Sequence, residues 1–537
     1  MASRSFSSTS LILLVTGFLI AFCNLAFIKN VIQAYPITLG HAPALLSLLV
    51  VFGSAVVLLF SLLCFKRTTK LVLIVFLLLS SLAAYFMDNY GVIISDDMLQ
   101  NVAHTNTAES LELFNLKLLA YFVFLGVLPA IAVSRANFLW RGWRAELIAR
   151  LKLVSITLVL MVGLVMLFGS FYASFFREHK NLRTYANPSY YVYSAIKFVN
   201  QRMGSTTQGP LTLIAQDAKI SKQDIERELV VLVIGETARA DRFSLNGYSR
   251  ETNPQLKQKK VISFTNFWAC GTSTAVSVPC IFLLDGESGS STARINEQEN
   301  LLDILQRSGV NVLWLDNNSD SKHVASRVAF QDFKSPQKNP ICDTECRDEG
   351  MLSAIQPFID AHPTGDILIV LHQMGNHGPA YYKRYPPAFE KFTPTCKSSD
   401  LSLCTPTEIG NAYDNAILYT DDFLAKTIGV LEKNDHQFET IMFYVSDHGE
   451  SLGENGIYLH GLPKSVAPDA QLHIPAIMWF GSGFHDADPS KIQAKRHLKF
   501  SHQHIFHTAL GMLEANAQVY RPAMDILDGT RPPGHWK

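Results

Sequence analysis

Five long apolar stretches occupy the first third of this chain, at residues 11–28, 44–65, 71–87, 118–133 and 153–176. A bilayer core of about 30 Å is crossed by about 20 helical residues, with a working range near 17–25. The first and fourth stretches reach that length with neutral flanks, such as 7–10 and 115–116. Buried helices of a soluble protein would carry a polar stripe, and these runs have none. Charge is correspondingly scarce here: from Met1 to Phe65 the only charged residues are Arg4 and Lys29. Arg4 ahead of an apolar run also fits a cleaved signal peptide, but four further spans favour a retained anchor. A fully soluble, disordered or coiled-coil chain is excluded.

The loops set the expected orientation. Lys66, Arg67 and Lys70 join spans two and three, and Arg135, Arg141, Arg144, Arg150 and Lys152 join spans four and five. Between spans three and four lie Asp88, Asp96, Asp97, Glu109 and Glu112, with no Lys or Arg from 88 to 116. Basic loops stay on the cytoplasmic side. The amino terminus is therefore expected inside, with everything after Phe176 on the far side. The whole chain holds 46 basic and 46 acidic residues, and this zero balance gives no support to wholesale polyanion or nucleic-acid binding.

Of eight cysteines, Cys23 and Cys64 lie in spans, and the others form close pairs: Cys270 with Cys280, Cys342 with Cys346, Cys396 with Cys404. Six cysteines allow about 15 connectivities, so nearest-neighbour disulfides are an expectation. An oxidising compartment suits them better than a zinc site, whose ligands are more tightly spaced.

Residues 177–228 read as a connector. Its tyrosines at 185, 190, 191 and 193 suit the headgroup level, and an exposed linker is a rival reading. Beyond it, short β-rich runs at 230–234, 311–315, 367–371, 441–445 and 476–480 alternate with helical stretches such as 300–308 and 407–432. That alternation predicts a mostly parallel sheet covered on both faces. Three strands run into polar motifs: Glu236 after the first, His372 to Gly378 after the third, and Ser446-Asp447-His448-Gly449-Glu450 after the fourth. Ligands of open parallel sheets bind beyond the carboxyl ends of strands.

Asp447 and His448 offer mixed oxygen and nitrogen ligands suited to zinc, with manganese as an alternative. A capping Asp beside a hydrogen-bonded His is the bland reading of that pair, and a helix-start residue the bland reading of Glu236; their convergence favours a metal. His377 and His460 each adjoin glycine, which permits close approach to a ligand. His473, His502, His504 and His507 lack such context and read as core or surface residues. The nucleophile is sought in "CGTSTAVSVPC", residues 270–280, where a helix starting near Thr274 would favour an anion. Spacing leaves Thr272, Ser273, Thr274 and Ser277 as candidates.

These motifs carry a resemblance. "GETARADRFSLNGYSRETNP", "CGTSTAVSVPC", "DNNSDSK", "GNHGPAYYKRYP" and "SDHGESLGENGIYLHG" resemble the lipid A phosphoethanolamine transferases, the family that includes the mobile colistin-resistance enzymes, within the alkaline phosphatase superfamily. The resemblance covers nearly the whole chain. It implies a transmembrane domain of five helices (1–176), an interfacial connector (177–228) and a periplasmic α/β/α sulfatase-like domain (229–537). It implies Thr274 as nucleophile, with Thr274, Glu236, Asp447 and His448 as zinc ligands. His377 and His460 match residues that contact a second zinc or the phosphoryl group; His372 is a weaker match. Ser319, Lys322, Asn101, Thr105 and Glu109 match substrate-contacting positions, and the three disulfides agree with the family's. The implied reaction moves phosphoethanolamine from phosphatidylethanolamine to a lipid A phosphate through a covalent threonine intermediate, conferring polymyxin resistance. The implied enzyme is a monomer of the bacterial inner membrane. The alternatives are transfer to a core sugar, a phosphoglycerol transferase resembling lipoteichoic acid synthases, and a non-enzymatic membrane sensor. A sulfatase is disfavoured, because no Cys or Ser followed by x-Pro-x-Arg stands near the nucleophile.

Overall fold

The computed structural model describes residues 5–104, 111–140, 142–204, 211–220, 226–286 and 292–532. The chain forms two compact units: Met1–Leu99 with Phe114–Val199, and Gln100–Leu113 with Asn200–Lys537. The acidic segment 100–113, although flanked by apolar spans, thus belongs to the second unit.

The first unit is helical: α1 (Ser8–Phe22), α2 (Leu25–Ala34), α3 (Ala42–Leu63), α4 (Thr69–Tyr90), then α6 (Leu116–Arg135), α7 (Trp143–Leu167), α8 (Gly169–Glu178) and α9 (Ser189–Gly204); the chain passes from one unit to the other within α5 (Asp96–His104), after Leu99. Among the described residues α3, α4, α6 and α7 are each long and apolar enough to cross a membrane. The first apolar stretch differs from the single rod expected at 11–28: it is a pair, α1 and α2, bent by 58°. Asn24 is the cause. Its side-chain amide donates to the Leu19 carbonyl (2.9 Å) and the Asn187 carbonyl (2.7 Å), and its Oδ1 accepts from the Asn187 backbone N–H (2.9 Å). A buried side chain that satisfies backbone groups in this way competes with the helical ladder. The last stretch, expected at 153–176, also divides, at Phe168, and α7 begins ten residues earlier than expected, at Trp143. Gly126 of α6 lies against α4, where a Cβ would collide with the Ser81 hydroxyl at 2.6 Å; small residues bring membrane helices together in this way.

The second unit centres on an eight-stranded sheet: β1 (Glu228–Gly235), β2 (Ile262–Trp268), β3 (Asn311–Asp316), β4 (Ala329–Asp332), β5 (Ile367–His372), β6 (Glu439–Ser446), β7 (His473–Phe480) and β8 (Phe500–Ser501). Their order is β8-β2-β7-β6-β1-β5-β3-β4. β7 runs antiparallel to both neighbours, and the other pairings are parallel. β1 is central and buried throughout, which explains its unbroken apolar run: both faces of a parallel strand are covered. Val230, Leu232 and Ile234 enter one core with Phe264, Phe282 and Trp314; Leu229, Val231 and Val233 are equally buried on the opposite face. The helix α10 (Thr274–Phe282) follows β2, and α11 (Leu301–Arg307) precedes β3 with Asn300 as cap. The long α12 (Pro406–Asn434) starts at a capping box in which Thr405 and Glu408 satisfy each other's backbone amides.

The three disulfides join the nearest-neighbour cysteines, Cys270–Cys280, Cys342–Cys346 and Cys396–Cys404, while Cys23 and Cys64 stay as buried thiols. Part of the stretch 177–228 is regular: it contains α9, and Lys219–Ile220 pairs with Ala515–Asn516.

Candidate active site

Strand register builds the site. Gly235 pairs with Ser446, and His372 pairs with both Ile234 and Asp316. The chain therefore leaves β1, β6, β5 and β3 at one level, and Glu236, Asp447, Gln373 and Asn317 start from the same rim. Gly375, with φ +48°, brings its loop against the backbone of Glu236, where a Cβ would meet the Glu236 carbonyl at 2.9 Å. Only glycine allows that approach without strain.

Glu236, Asp447 and His448 converge as a buried triad whose ligand atoms lie within 4.8 Å of one another. His448 Nε2 is 3.4 Å from Glu236 Oε1 and 3.3 Å from Asp447 Oδ2. The His448 Nδ1 donates to the Gly449 carbonyl (2.9 Å), leaving the Nε2 lone pair for the triad. Asp447 Oδ1 accepts from the Thr237 and His448 amides, whereas its buried Oδ2 has no hydrogen-bond partner. Burial, with the nearby His460, holds the His448 imidazole well below its usual pKa and so neutral. Burial raises Asp447, against hydrogen bonds that oppose the shift. An unpartnered buried carboxylate oxygen facing a neutral imidazole is a donor set that fits zinc.

Hydrogen bonds separate the four candidate hydroxyls. Thr272 donates to the Leu462 carbonyl (2.6 Å), and Ser277 closes its own loop onto Gly271 (3.2 Å). Ser273 caps α10 in an extended conformation with its buried hydroxyl unpartnered. Thr274, the first residue of α10, donates to Glu236 Oε2 (3.0 Å) and lies 3.4 Å from His448 Nε2. Of the four, Thr274 alone meets the triad. The N-terminus of α10 adds a partial positive charge beside that oxygen.

His377 and His460 stand at the mouth, and Glu236, His377 and His460 form a second group with ligand spacing. The His448 and His460 ring centroids are 4.3 Å apart, and those of His377 and His460 5.8 Å. Burial, then the charge of Arg384, depresses the His377 pKa strongly, and its Nδ1 has no hydrogen-bond partner. His372 sits behind this cluster: its Nδ1 contacts Asp316 Oδ2 (2.9 Å), which also accepts from the Trp314 indole (2.8 Å), while its Nε2 is unpartnered. Lys322, 3% exposed, reaches Ser319 Oγ at 2.5 Å, and the Ser319 hydroxyl donates in turn to Asn318 Oδ1 (3.1 Å). Asn101 lies on α5; Thr105 and Glu109 lie outside the described residues.

Two contributors escape a reading by residue type. Asn318 donates to Glu236 Oε2 (2.8 Å) and to the Gln373 carbonyl (2.7 Å), orienting the carboxylate. Glu450 holds His460 Nδ1 (2.8 Å) and accepts from the Tyr381 hydroxyl (2.6 Å). Both sit inside the motifs quoted above, which was the available signal. His502, read from the sequence as a core or surface residue, is buried, and it links the Cys270 loop to the end of β6: its Nδ1 accepts from Cys270 N–H (3.1 Å) and its Nε2 donates to the Ser446 carbonyl (2.9 Å).

Known proteins share this architecture. Residues 228–515 match the sulfatase family, and residues 52–203 match the family described as phosphoethanolamine transferase EptA/EptB. The chain is 44% identical over 487 residues to the phosphatidylethanolamine transferase Mcr-1 of Escherichia coli, covering 89% of this chain and 90% of that protein. It is 38% identical over 540 residues to the phosphoethanolamine transferase EptA of Escherichia coli strain K12, covering 97% and 96%. Its structure matches the integral membrane protein lipooligosaccharide phosphoethanolamine transferase A from Neisseria meningitidis with a TM-score of 0.94 at 35% identity, over 99% of this chain and 100% of that one. With relatives this similar over nearly its full length, the chain belongs to the phosphoethanolamine transferase family.

Proposed function

We propose that this protein transfers phosphoethanolamine from phosphatidylethanolamine to a phosphate of lipid A, by way of a phosphoethanolamine ester on Thr274. The observation that carries the reading is the Thr274 hydroxyl, 3.0 Å from Glu236 and 3.4 Å from His448 at the head of a helix. Five membrane spans within 1–176, a connector over 177–228 and a periplasmic catalytic domain over 229–537 suit a reaction whose two substrates are lipids. The basic loops favour an inner-membrane enzyme with its site outside, where the disulfides persist.

In the first step Thr274 Oγ1 attacks the phosphorus of the donor headgroup. The bond from phosphorus to the diacylglycerol oxygen breaks, and the hydrogen displaced from Oγ1 ends on that departing oxygen. In the second step an oxygen of a lipid A phosphate attacks the same phosphorus. The Oγ1–phosphorus bond breaks, and Oγ1 recovers the hydrogen that the acceptor phosphate carried. Zinc held by Glu236, Asp447, His448 and the Thr274 oxygen would lower the hydroxyl's pKa and offset charge on the phosphoryl oxygens. Glu236, His377 and His460 are the set for a second ion. His460, aligned by Glu450 through Nδ1, handles the proton at the departing and entering oxygens when its Nε2 does not ligate that second ion, and Lys322 with Ser319 contacts the phosphoryl group. Asn101, Thr105 and Glu109 are assigned to the ethanolamine side. The added ammonium lowers the negative charge that attracts polymyxins.

The test is Thr274→Ala in the full-length chain, with mass spectrometry of lipid A from expressing cells. The variant is expected to insert and fold normally while leaving lipid A without phosphoethanolamine. Modified lipid A in that variant would refute the assignment; a mass increment on a core sugar in the wild type would move the acceptor.

A further inference from the structure

One ion-pair node of the second unit lies outside the chemistry above. Arg384 is 3% exposed at its side chain and holds three groups at once. Its Nη2 pairs with Glu112, its Nη1 pairs with Glu345, and its Nε donates to the backbone carbonyl of His377 at 2.6 Å. Glu112, itself 14% exposed, also takes Lys383 Nζ at 3.2 Å. Glu112 and Arg384 are 272 positions apart in sequence, so the contact is fixed by the fold alone. A guanidinium forked between two carboxylates is a directional, charge-assisted arrangement, and a lysine cannot reproduce its geometry.

The same node borders a pocket of about 550 Å³. Leu111 and Glu112 line one side; Asn317, Met374 and the Cys342–Cys346 disulfide line others, with Lys334 and Lys383 adding positive charge. Asn317 directly follows β3 and Met374 lies two residues beyond the end of β5, so the pocket borders the rim that carries the metal triad. Without the Glu112 contact, the 111–112 wall would lose its tie to Arg384, and Arg384 would lose one of the two carboxylates that aim its Nε at His377.

We propose that Glu112 and Arg384 are positioning residues for the transfer: a clasp that fixes the 111–113 segment as a wall of this pocket and holds the His377 loop for a zwitterionic phospholipid headgroup. The proposal rests on the transferase reading for its kinetic readout, and on geometry alone for its structural one.

The experiment compares wild type, Glu112→Gln, Arg384→Lys, Arg384→Gln and the double variant Glu112→Gln/Arg384→Gln, as full-length chains in detergent. Phosphatidylethanolamine is the donor and lipid A the acceptor, and diacylglycerol release is followed. Glu112→Gln is expected to raise KM for the donor about fivefold or more, with kcat changed less than twofold. Arg384→Gln is expected to lower kcat as well, because the His377 carbonyl loses its donor, and Arg384→Lys to rescue only part of it. The double variant is expected to be no worse than Arg384→Gln alone, the mark of two residues acting as one unit. Backbone hydrogen exchange over 111–113 and 377–384 should quicken in Glu112→Gln. Unchanged KM with unchanged exchange, or fully additive effects, would overturn the proposal. Should the wild-type chain release no diacylglycerol, the transferase reading fails, and exchange alone then decides: faster exchange supports the clasp, and unaltered exchange refutes it.

Discussion

Replacing His502 by leucine isolates one buried proton-binding site whose worth can be worked from the fold. The imidazole is fully buried and bridges the nucleophile loop to the end of β6, accepting from Cys270 N–H and donating to the Ser446 carbonyl. Leucine leaves both backbone groups buried and unpaired, at about 1–3 kcal/mol each, so a loss on the order of 4 kcal/mol is expected at neutral pH. Burial lowers the folded-state pKa of His502 from 6.5 to about 4. As pH falls below 6.5 the unfolded chain takes up a proton that the folded one refuses, so the stabilisation is present above 6.5 and drains away towards 4. Between pH 7.5 and 5.0 that linkage removes about 2 kcal/mol from the wild type and nothing from the leucine variant. The assay is a urea titration of each full-length chain in detergent with chelator present, followed by tryptophan fluorescence, since Trp268, Trp314 and Trp479 lie in the second unit. Other titrating groups act alike in both chains and cancel. The stability gap should narrow by about half from pH 7.5 to 5.0; a gap that stays constant or widens would refute the assignment of a neutral, bridging imidazole.

Three further outcomes are expected. Chelation should lower the thermal midpoint of the second unit by roughly 5 °C, the effect of about 2.7 kcal/mol of ligand linkage at a hundredfold excess over Kd, and zinc should restore it in the wild type but not in Asp447→Ala. Gly449→Ala should weaken zinc binding roughly tenfold in a competition titration, because its Cβ would enter the space of the Ala470 carbonyl oxygen and push the Asp447–His448 loop aside. Asn24→Leu should destabilise the first unit by about 3 kcal/mol, since three buried hydrogen bonds to Leu19 and Asn187 disappear; an unchanged melting profile would mean that the bend between α1 and α2 is held by something else.

Linear order by itself determined the parts whose cause is local or repetitive. Uninterrupted apolar runs mark membrane helices because a span must satisfy its own backbone, and the same physics makes β1 legible as a strand buried on both faces. Polar motifs directly after β1, β5 and β6 were legible because strand ends and the residues beyond them are neighbours in the chain. Strand β2 and the short edge strands β4 and β8 were not: their sequences carry no sustained period, and pairing with distant partners makes them strands. The break at Asn24 depends on Asn187, the choice of Thr274 over Thr272 and Ser277 on Glu236 and Leu462, and the aim of Arg384 on Glu112. In each case a short-range hydroxyl, amide or carboxylate acquires its role from a partner far away in sequence. Hydrogen bonds and ion pairs act over about 3 Å, and only the folded chain brings such partners that close.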